Sequence, residues 1–209
     1  MSEIVDGKEV RIRFEGRRCI HARACVLGQP KVFKANVEGP WIDPDAASAA
    51  ELLALAERCP SGAVQVERLD GGAAEQPSGR NVVAVWENGP YAVRGELRVA
   101  GQAAGTRATL CRCGASKNKP FCDSSHHEVG FTATGELPAP ESLPGWEAPG
   151  PLEITPLPDG PLKVEGAHEV TSGTGRAHRR AMQAFLCRCG GSAKKPFCDG
   201  THRAIGFRS

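Results

Sequence analysis

One short stretch, present twice, limits what this chain can fold into. The first copy reads Cys111-Arg-Cys113-Gly-Ala-Ser-Lys-Asn-Lys-Pro120-Phe-Cys122-Asp-Ser-Ser-His126. The second reads Cys187-Arg-Cys189-Gly-Gly-Ser-Ala-Lys-Lys-Pro196-Phe-Cys198-Asp-Gly-Thr-His202. Both follow C-x-C-x8-C-x3-H. Three soft thiolates and one imidazole so close in sequence form a metal-ligand set rather than a disulfide framework. Cys111 and Cys113 lie one residue apart, so in an extended segment both sulfurs can point at one metal. Cys122 and His126 stand at i and i+4, where on a helix they share a face. Asp123 falls at the expected helix start, where a carboxylate suits the positive end of the dipole. The spacing alone leaves two metals on equal footing. A closed Cys3His zinc site needs only these four donors. A [2Fe-2S] cluster also takes four, with Cys111 and Cys113 on one iron and Cys122 and His126 on the other. The same holds for Cys187, Cys189, Cys198 and His202.

Six of the nine cysteines lie in these two stretches. The N-terminal residues are charged and lack the apolar core of a signal peptide. No run approaches the roughly 18 apolar residues of a membrane span. A reducing cytoplasm, where cysteines serve metal or redox chemistry, is therefore the expected location. A net charge of +2 gives no reason to invoke nucleic acid or an anionic membrane as a partner.

The second copy can be laid on the first. Asp159-Gly-Pro161 matches Asn88-Gly-Pro90, and Leu162-Lys-Val-Glu-Gly166 matches Tyr91-Ala-Val-Arg-Gly95. The offset grows from 71 to 76 residues by the cysteines, which puts the extra residues in the basic loop 173–180. Arg176, His178, Arg179 and Arg180 there are expected to form a solvated hairpin loop. Strands are expected at 81–87, 91–99 and 107–110, then at 182–186. Lys117, Lys119, Lys194 and Lys195 are assigned mainly to surface solvation, and His127 and His168 to the surface. Trp41, Trp86 and Trp146 are read as core or interface residues. The expected organisation is a domain over 1–70, a linker over 71–80, a first repeat unit over 81–136, a Pro-rich connector over 137–151 and a second unit over 152–209. Two equivalent units in one chain suggest a pseudo-twofold pair that packs internally, hence a monomer.

In the N-terminal third, residues 10–14 alternate as a strand and 31–33 form a short one. Residues 46–58 read as a helix capped by Asp43 or Asp45, with Leu52, Leu55 and Ala56 on one face. The helix ends at Cys59-Pro60 because proline disfavours a helical residue before it. Residues 61–67 alternate as a strand. Cys19-Ile20, Cys25-Val26, Phe33, the helix and Cys59-Pro60 resemble a single-cluster bacterial-type ferredoxin. Such a domain has C-x2-C-x2-C followed by a distant Cys-Pro. Here the middle cysteine position is Ala22, leaving Cys19, Cys25 and Cys59. That set suits a [3Fe-4S] cluster, or a [4Fe-4S] cluster whose last iron takes His21 or an outside ligand.

The repeated pattern C-x-C-x2-S-x3-P-x-C-D-(G/S)-(S/T)-H resembles the CDGSH iron–sulfur family, also called the mitoNEET family. The family's glycine is Ser124 in the first copy and Gly200 in the second. The resemblance covers roughly residues 80–209. It implies a [2Fe-2S] cluster with three Cys and one His ligand per unit. It also implies a β-rich cap over a cluster-binding region with short helices. The expected fold class is α+β: a ferredoxin-like domain, then two CDGSH units. A redox-active cluster implies electron transfer with a redox partner protein. The alternatives are donation of [2Fe-2S] to an apo iron–sulfur acceptor, redox or iron sensing, and a zinc-bound structural module. With no phosphate loop and no nucleophile–base set, the chain is expected not to be an enzyme.

Overall fold

The computed structural model describes residues 2–137 and 150–209. Trp146 and most of the Pro-rich connector fall outside the described residues. The chain divides into two units, Met1–Gln76 and Pro77–Ser209. None of its described helices is long and apolar enough to cross a membrane.

The first unit is an antiparallel sheet with one packed helix. Strands β1 (Ser2–Asp6) and β2 (Val10–Glu15) form a hairpin. After a short helix α1 (Ala24–Gly28) comes α2 (Ala49–Arg58), and then β3 (Val64–Arg68) pairs with β2. Alternation along β2 sends Val10 and Ile12 inward, onto Leu52, Leu55 and Ala56 of α2. Each buried valine, isoleucine or leucine among them contributes roughly 1.5–3 kcal/mol by leaving water.

Three local expectations change here. The helix begins at Ala49 under a capping box, in which Ser48 accepts from the Glu51 N–H and the Glu51 carboxylate accepts from the Ser48 N–H. Neither Asp43 nor Asp45 caps it. The S-x-x-E signal at 48–51 outweighed the earlier aspartates because Pro44–Ala46 close a separate 3-10 turn. The strand at 31–33 reduces to one bridge between Phe33 and Ile42. Trp41 sits on Phe14 and Phe33, with ring centroids 4.9 and 5.9 Å away, and its indole N–H donates to Glu3 at 2.9 Å.

The second unit is built from strands of both repeat copies. In chain order these are β4 (Val82–Val85), β5 (Tyr91–Val99), β6 (Gln102–Leu110), a short helix α3 (Ser125–Glu128), β7 (Leu152–Pro156), β8 (Leu162–Ser172), β9 (Ala177–Leu186) and α4 (Thr201–Ala204). Within each copy the pairs are antiparallel: β4–β5–β6, then β7–β8–β9. Between copies they are parallel and reciprocal, with β4 beside the end of β8 and β7 beside the end of β5. Each long strand therefore has its own copy's short strand beside its first half and the other copy's beside its second. The changeover falls at Gly95 and Gly166, within register shifts at 94–97 and 165–168. Asn81, buried, fixes the crossing by donating to the carbonyls of Gly150 (2.8 Å) and Ala167 (3.0 Å). One apolar core runs through both copies, from Val83 and Leu97 to Ile154 and Leu186.

The basic stretch near 176–180 is not a solvated loop. Residues from Ala177 onward belong to β9, His178 is buried, and Arg180 pairs with the buried Glu169 at 2.7 Å. His168 is also buried, at 0 % exposure, with its Nδ1 2.8 Å from the Gly166 carbonyl. Its equivalent in the first copy is Leu97, so a polar ring occupies a core position that sequence reasoning placed on the surface. His127 is exposed.

Candidate metal centres

In each repeat a strand end delivers the first cysteine and a returning loop delivers the third. Strand β6 ends at Leu110, which bridges Phe121. The Cys111 N–H donates to the Pro120 carbonyl at 2.8 Å and the Cys122 N–H to the Thr109 carbonyl at 2.9 Å. The second copy repeats this with Cys187 to Pro196 (2.8 Å) and Cys198 to Phe185 (2.9 Å).

The donors come in pairs. Cys111 and Cys113 sulfurs lie 3.9 Å apart, and Cys187 and Cys189 lie 3.6 Å apart. Cys122 Sγ is 3.5 Å from His126 Nδ1, and Cys198 Sγ is 3.4 Å from His202 Nδ1. Two sulfurs at ~2.3 Å from one tetrahedral metal are about 3.8 Å apart. Each pair therefore has the separation of two ligands on a single metal. Among the described residues no three His, Cys, Asp or Glu side chains converge as a mononuclear set. The Cys122–His126 contact does not arise from one helical face, since α3 begins only at Ser125. A left-handed Ser124 (φ 71°), or Gly200 (φ 89°), turns the chain so that the histidine swings back onto its cysteine.

The shell around each site is built alike. Asp123 accepts from the N–H groups of Lys117 (2.7 Å) and Ser125 (3.0 Å), tying loop to helix, and Asp199 does the same with Ala193 (2.8 Å) and Thr201 (3.0 Å). Burial would raise the Asp123 carboxyl, but these hydrogen bonds outweigh it and hold it low. Lys119 Nζ donates to the Ser116 carbonyl at 2.7 Å and Lys195 to that of Ser192 at 2.5 Å. These two lysines are loop braces, not merely solvated charges.

Sequence reasoning passed over Arg112 and Arg188, the middle residues of the two C-R-C triplets. Both are almost fully buried. Arg112 donates to the carbonyls of Trp86 (2.8 Å) and Thr134 (2.6 Å), and Arg188 to those of Gly160 (2.8 Å) and Leu157 (2.6 Å). The signal was available: the same charged residue fills an unconstrained motif position in both copies. Tyr91, fully buried, crosses between copies and donates toward the carbonyls of Cys187 (2.7 Å) and Pro196 (2.9 Å).

The two sites also meet through backbone. Gly114 and Gly190 have φ of +85° and +78°. A Cβ on Gly114 would stand 2.9 Å from the Cys189 carbonyl oxygen, and one on Gly190 2.7 Å from that of Cys113. Only glycine allows both the left-handed turn and the approach.

The Cys111 thiol, hydrogen-bonded to Cys113, pushes the Cys113 pKa down, and the Ala115 N–H at 3.4 Å assists. Burial pushes Cys122 up to about 11. Burial, then the neighbouring His127, lowers the His126 pKa and so favours its neutral ring.

In the first unit, Cys19 follows a 3-10 turn, Cys25 lies on α1 and Cys59 caps α2. All three are half-buried free thiols. Burial raises Cys19 and Cys25, and each also feels the charge of Cys59. The loop between the first two turns left-handed at His21 (φ 53°) and Arg23 (φ 61°), which directs the His21 N–H onto Cys19 Sγ at 3.4 Å. The His21 side chain is exposed.

Comparison with known proteins agrees with this division. Residues 5–69 match the family described as "Divergent 4Fe-4S mono-cluster". Residues 88–127 and 159–203 match "Iron-binding zinc finger CDGSH type", and these segments contain all eight paired donors. The "Uncharacterized protein YjdI" of Escherichia coli K12 is 34 % identical over 59 residues, which is 28 % of this chain and 76 % of the relative. The YjdI of E. coli O157:H7 matches to the same extent. No solved structure matches the chain. The chain belongs to the CDGSH iron–sulfur family, as a member with two CDGSH segments behind an N-terminal divergent 4Fe-4S mono-cluster domain.

Proposed function

We propose that the second unit holds two [2Fe-2S] clusters and passes single electrons to and from a redox partner protein. Cys111 and Cys113 would hold one iron and Cys122 and His126 the other, with Cys187, Cys189, Cys198 and His202 arranged likewise. The pairing of donors carries this assignment: each copy offers two two-ligand sets at single-metal spacing. A mononuclear zinc site would need all four donors on one centre. When bound, such a cluster supplies one-electron redox chemistry at a potential raised by its neutral histidine ligand. The chain's own contribution is to fix and tune the donors. The N–H groups of Ala115, Ser124 and Gly191, each 3.4 Å from a ligand sulfur, favour the thiolate form and stabilise added negative charge.

The reciprocal exchange of β4 and β7 supports a pseudo-twofold pair within one chain, and hence a monomer. For the first unit, the half-buried Cys19, Cys25 and Cys59, which feel one another's charge, support a [3Fe-4S] or [4Fe-4S] cluster in a ferredoxin-like domain, which would make the protein a three-cluster relay. Nine free thiols suit a cytoplasmic setting. Cluster donation to an apo-protein is the second choice, favoured by the weaker histidine ligand. We read the Cys122–His126 and Cys198–His202 contacts as ligand pairs rather than as nucleophile and base, so electron transfer is preferred to a catalytic role with its own substrate.

Pulsed EPR of the reduced protein tests the ligation. One coordinated imidazole nitrogen per [2Fe-2S] cluster is expected, lost in the His126→Cys/His202→Cys double variant. Reduced clusters without nitrogen coupling would refute it.

A further inference from the structure

We propose that the two CDGSH centres are unequal, and that the mouth beside Cys198 and His202 is the face on which an acidic partner protein docks. This rests on both centres holding clusters. The second centre opens into a cavity of about 660 Å³ whose lining includes Phe185, Cys198, His202, Arg203, Phe207 and Arg208. That volume is within the range of sites that receive a ligand or an inserted side chain. At the first centre His126 is only 8 % exposed, and the His127 ring packs on it with centroids 4.1 Å apart.

The copies differ at this mouth in charge as well as shape. Arg203 stands where the first copy has His127, Ala204 where it has Glu128, and Arg208 where it has Thr132. Phe185, 41 % exposed, replaces Thr109, which is buried. Asp159 is the acidic group among the lining residues, and it is already engaged by Arg208 at 3.2 Å and by the Ser209 N–H at 2.9 Å. Arg203 is exposed, and its guanidinium makes no hydrogen bond or ion pair among the described residues. In the first copy the equivalents of Pro158 and Ala204 are the exposed Glu87 and Glu128, and no equivalent of a lining residue is arginine. Arginine next to exposed aromatic surface is the composition of an interface hot spot. Its positive charge accelerates encounter with carboxylate-bearing partners, while two glutamates at the first mouth slow it. A docked partner would meet His202, which lines the cavity.

The test uses the loaded full-length protein, after iron and sulfide analysis has shown two [2Fe-2S] clusters. A lower count refutes the cluster assignment and not this asymmetry. Reduced flavodoxin, an acidic one-electron donor with flavin bands distinct from the clusters, is mixed in a stopped-flow instrument at low ionic strength. Each event moves one electron from the flavin hydroquinone to one oxidised cluster. Two phases of similar amplitude are expected. Arg203→Glu should slow the faster phase about tenfold and leave the slower one unchanged, and high salt should bring the two phases together. His127→Glu should leave the faster phase intact. A small neutral reduced flavin should show no Arg203 dependence. A single phase, an unchanged fast phase in Arg203→Glu, or an equal slowing with the neutral flavin would overturn the proposal.

Discussion

Replacing Tyr91 by Phe removes a single oxygen from the centre of the second unit, and the consequence should be one-sided. Tyr91 is fully buried, and its hydroxyl reaches the Cys187 and Pro196 carbonyls of the other copy at 2.7 and 2.9 Å. The Pro196 oxygen keeps the Cys187 N–H, so the Cys187 carbonyl suffers most. Losing the hydrogen bond costs about 1 kcal/mol, and leaving a buried acceptor short of a donor costs about 1 more. A unit of this size moves by roughly 4 °C per kcal/mol, so calorimetry should show its transition about 8 °C lower. Ring packing is unchanged, so nothing offsets the loss. The first copy offers no such hydroxyl in return, because the residue equivalent to Tyr91 is Leu162. Iron release to a chelator should therefore accelerate at the second centre and not at the first. A shift under about 2 °C, or equal acceleration at both centres, would refute the claim that this hydroxyl braces the Cys187 segment.

Other perturbations test other links. Gly190→Ala drives a Cβ to 2.7 Å from the Cys113 carbonyl at a φ of +78°, so it should cost about 2–3 kcal/mol and lower the iron content of both centres. Ser48→Ala breaks the capping box and should cost about 1 kcal/mol, read as a lower denaturant midpoint for the first unit alone. His168 has its pKa lowered, first by burial and then by Arg179. The unfolded chain therefore binds a proton that the folded chain refuses, and stability should fall as pH drops below about 6.5. His168→Leu, which copies Leu97 of the other repeat, should flatten that slope in denaturation curves taken from pH 7.5 to 5.5; an unchanged slope would assign it elsewhere.

The close pairing of Cys111 with Cys113 and of Cys122 with His126, repeated in the second copy, was legible because the C-x-C-x8-C-x3-H spacing is local. The α2 face and strands such as 91–99 were legible for a related reason, since their periodicity is local. Reciprocal pairing of β4 with β8 and β7 with β5 was not, because it joins residues far apart in sequence and leaves no local pattern. Arg112, Arg188 and His168 were missed for a different reason. Charged and polar residues are ordinarily placed outside; the two arginines are inside because carbonyls far along the chain receive them, and His168 is inside beside the carbonyl of Gly166. Asp43 and Asp45 looked like caps, yet Ser48 with Glu51 satisfied two backbone donors at once and took the role. The i, i+4 spacing of Cys122 and His126 foretold their contact for the wrong reason, since a left-handed residue and not a helical face brings them together.

The most direct test is a visible absorption spectrum of freshly purified protein with iron, sulfide and zinc counted per chain. Two [2Fe-2S] clusters predict about four irons and four sulfides with charge-transfer bands, and about three or four further irons if Cys19, Cys25 and Cys59 are loaded. A colourless, zinc-loaded protein that stays colourless after anaerobic reconstitution with iron and sulfide would contradict the account and leave a structural zinc module.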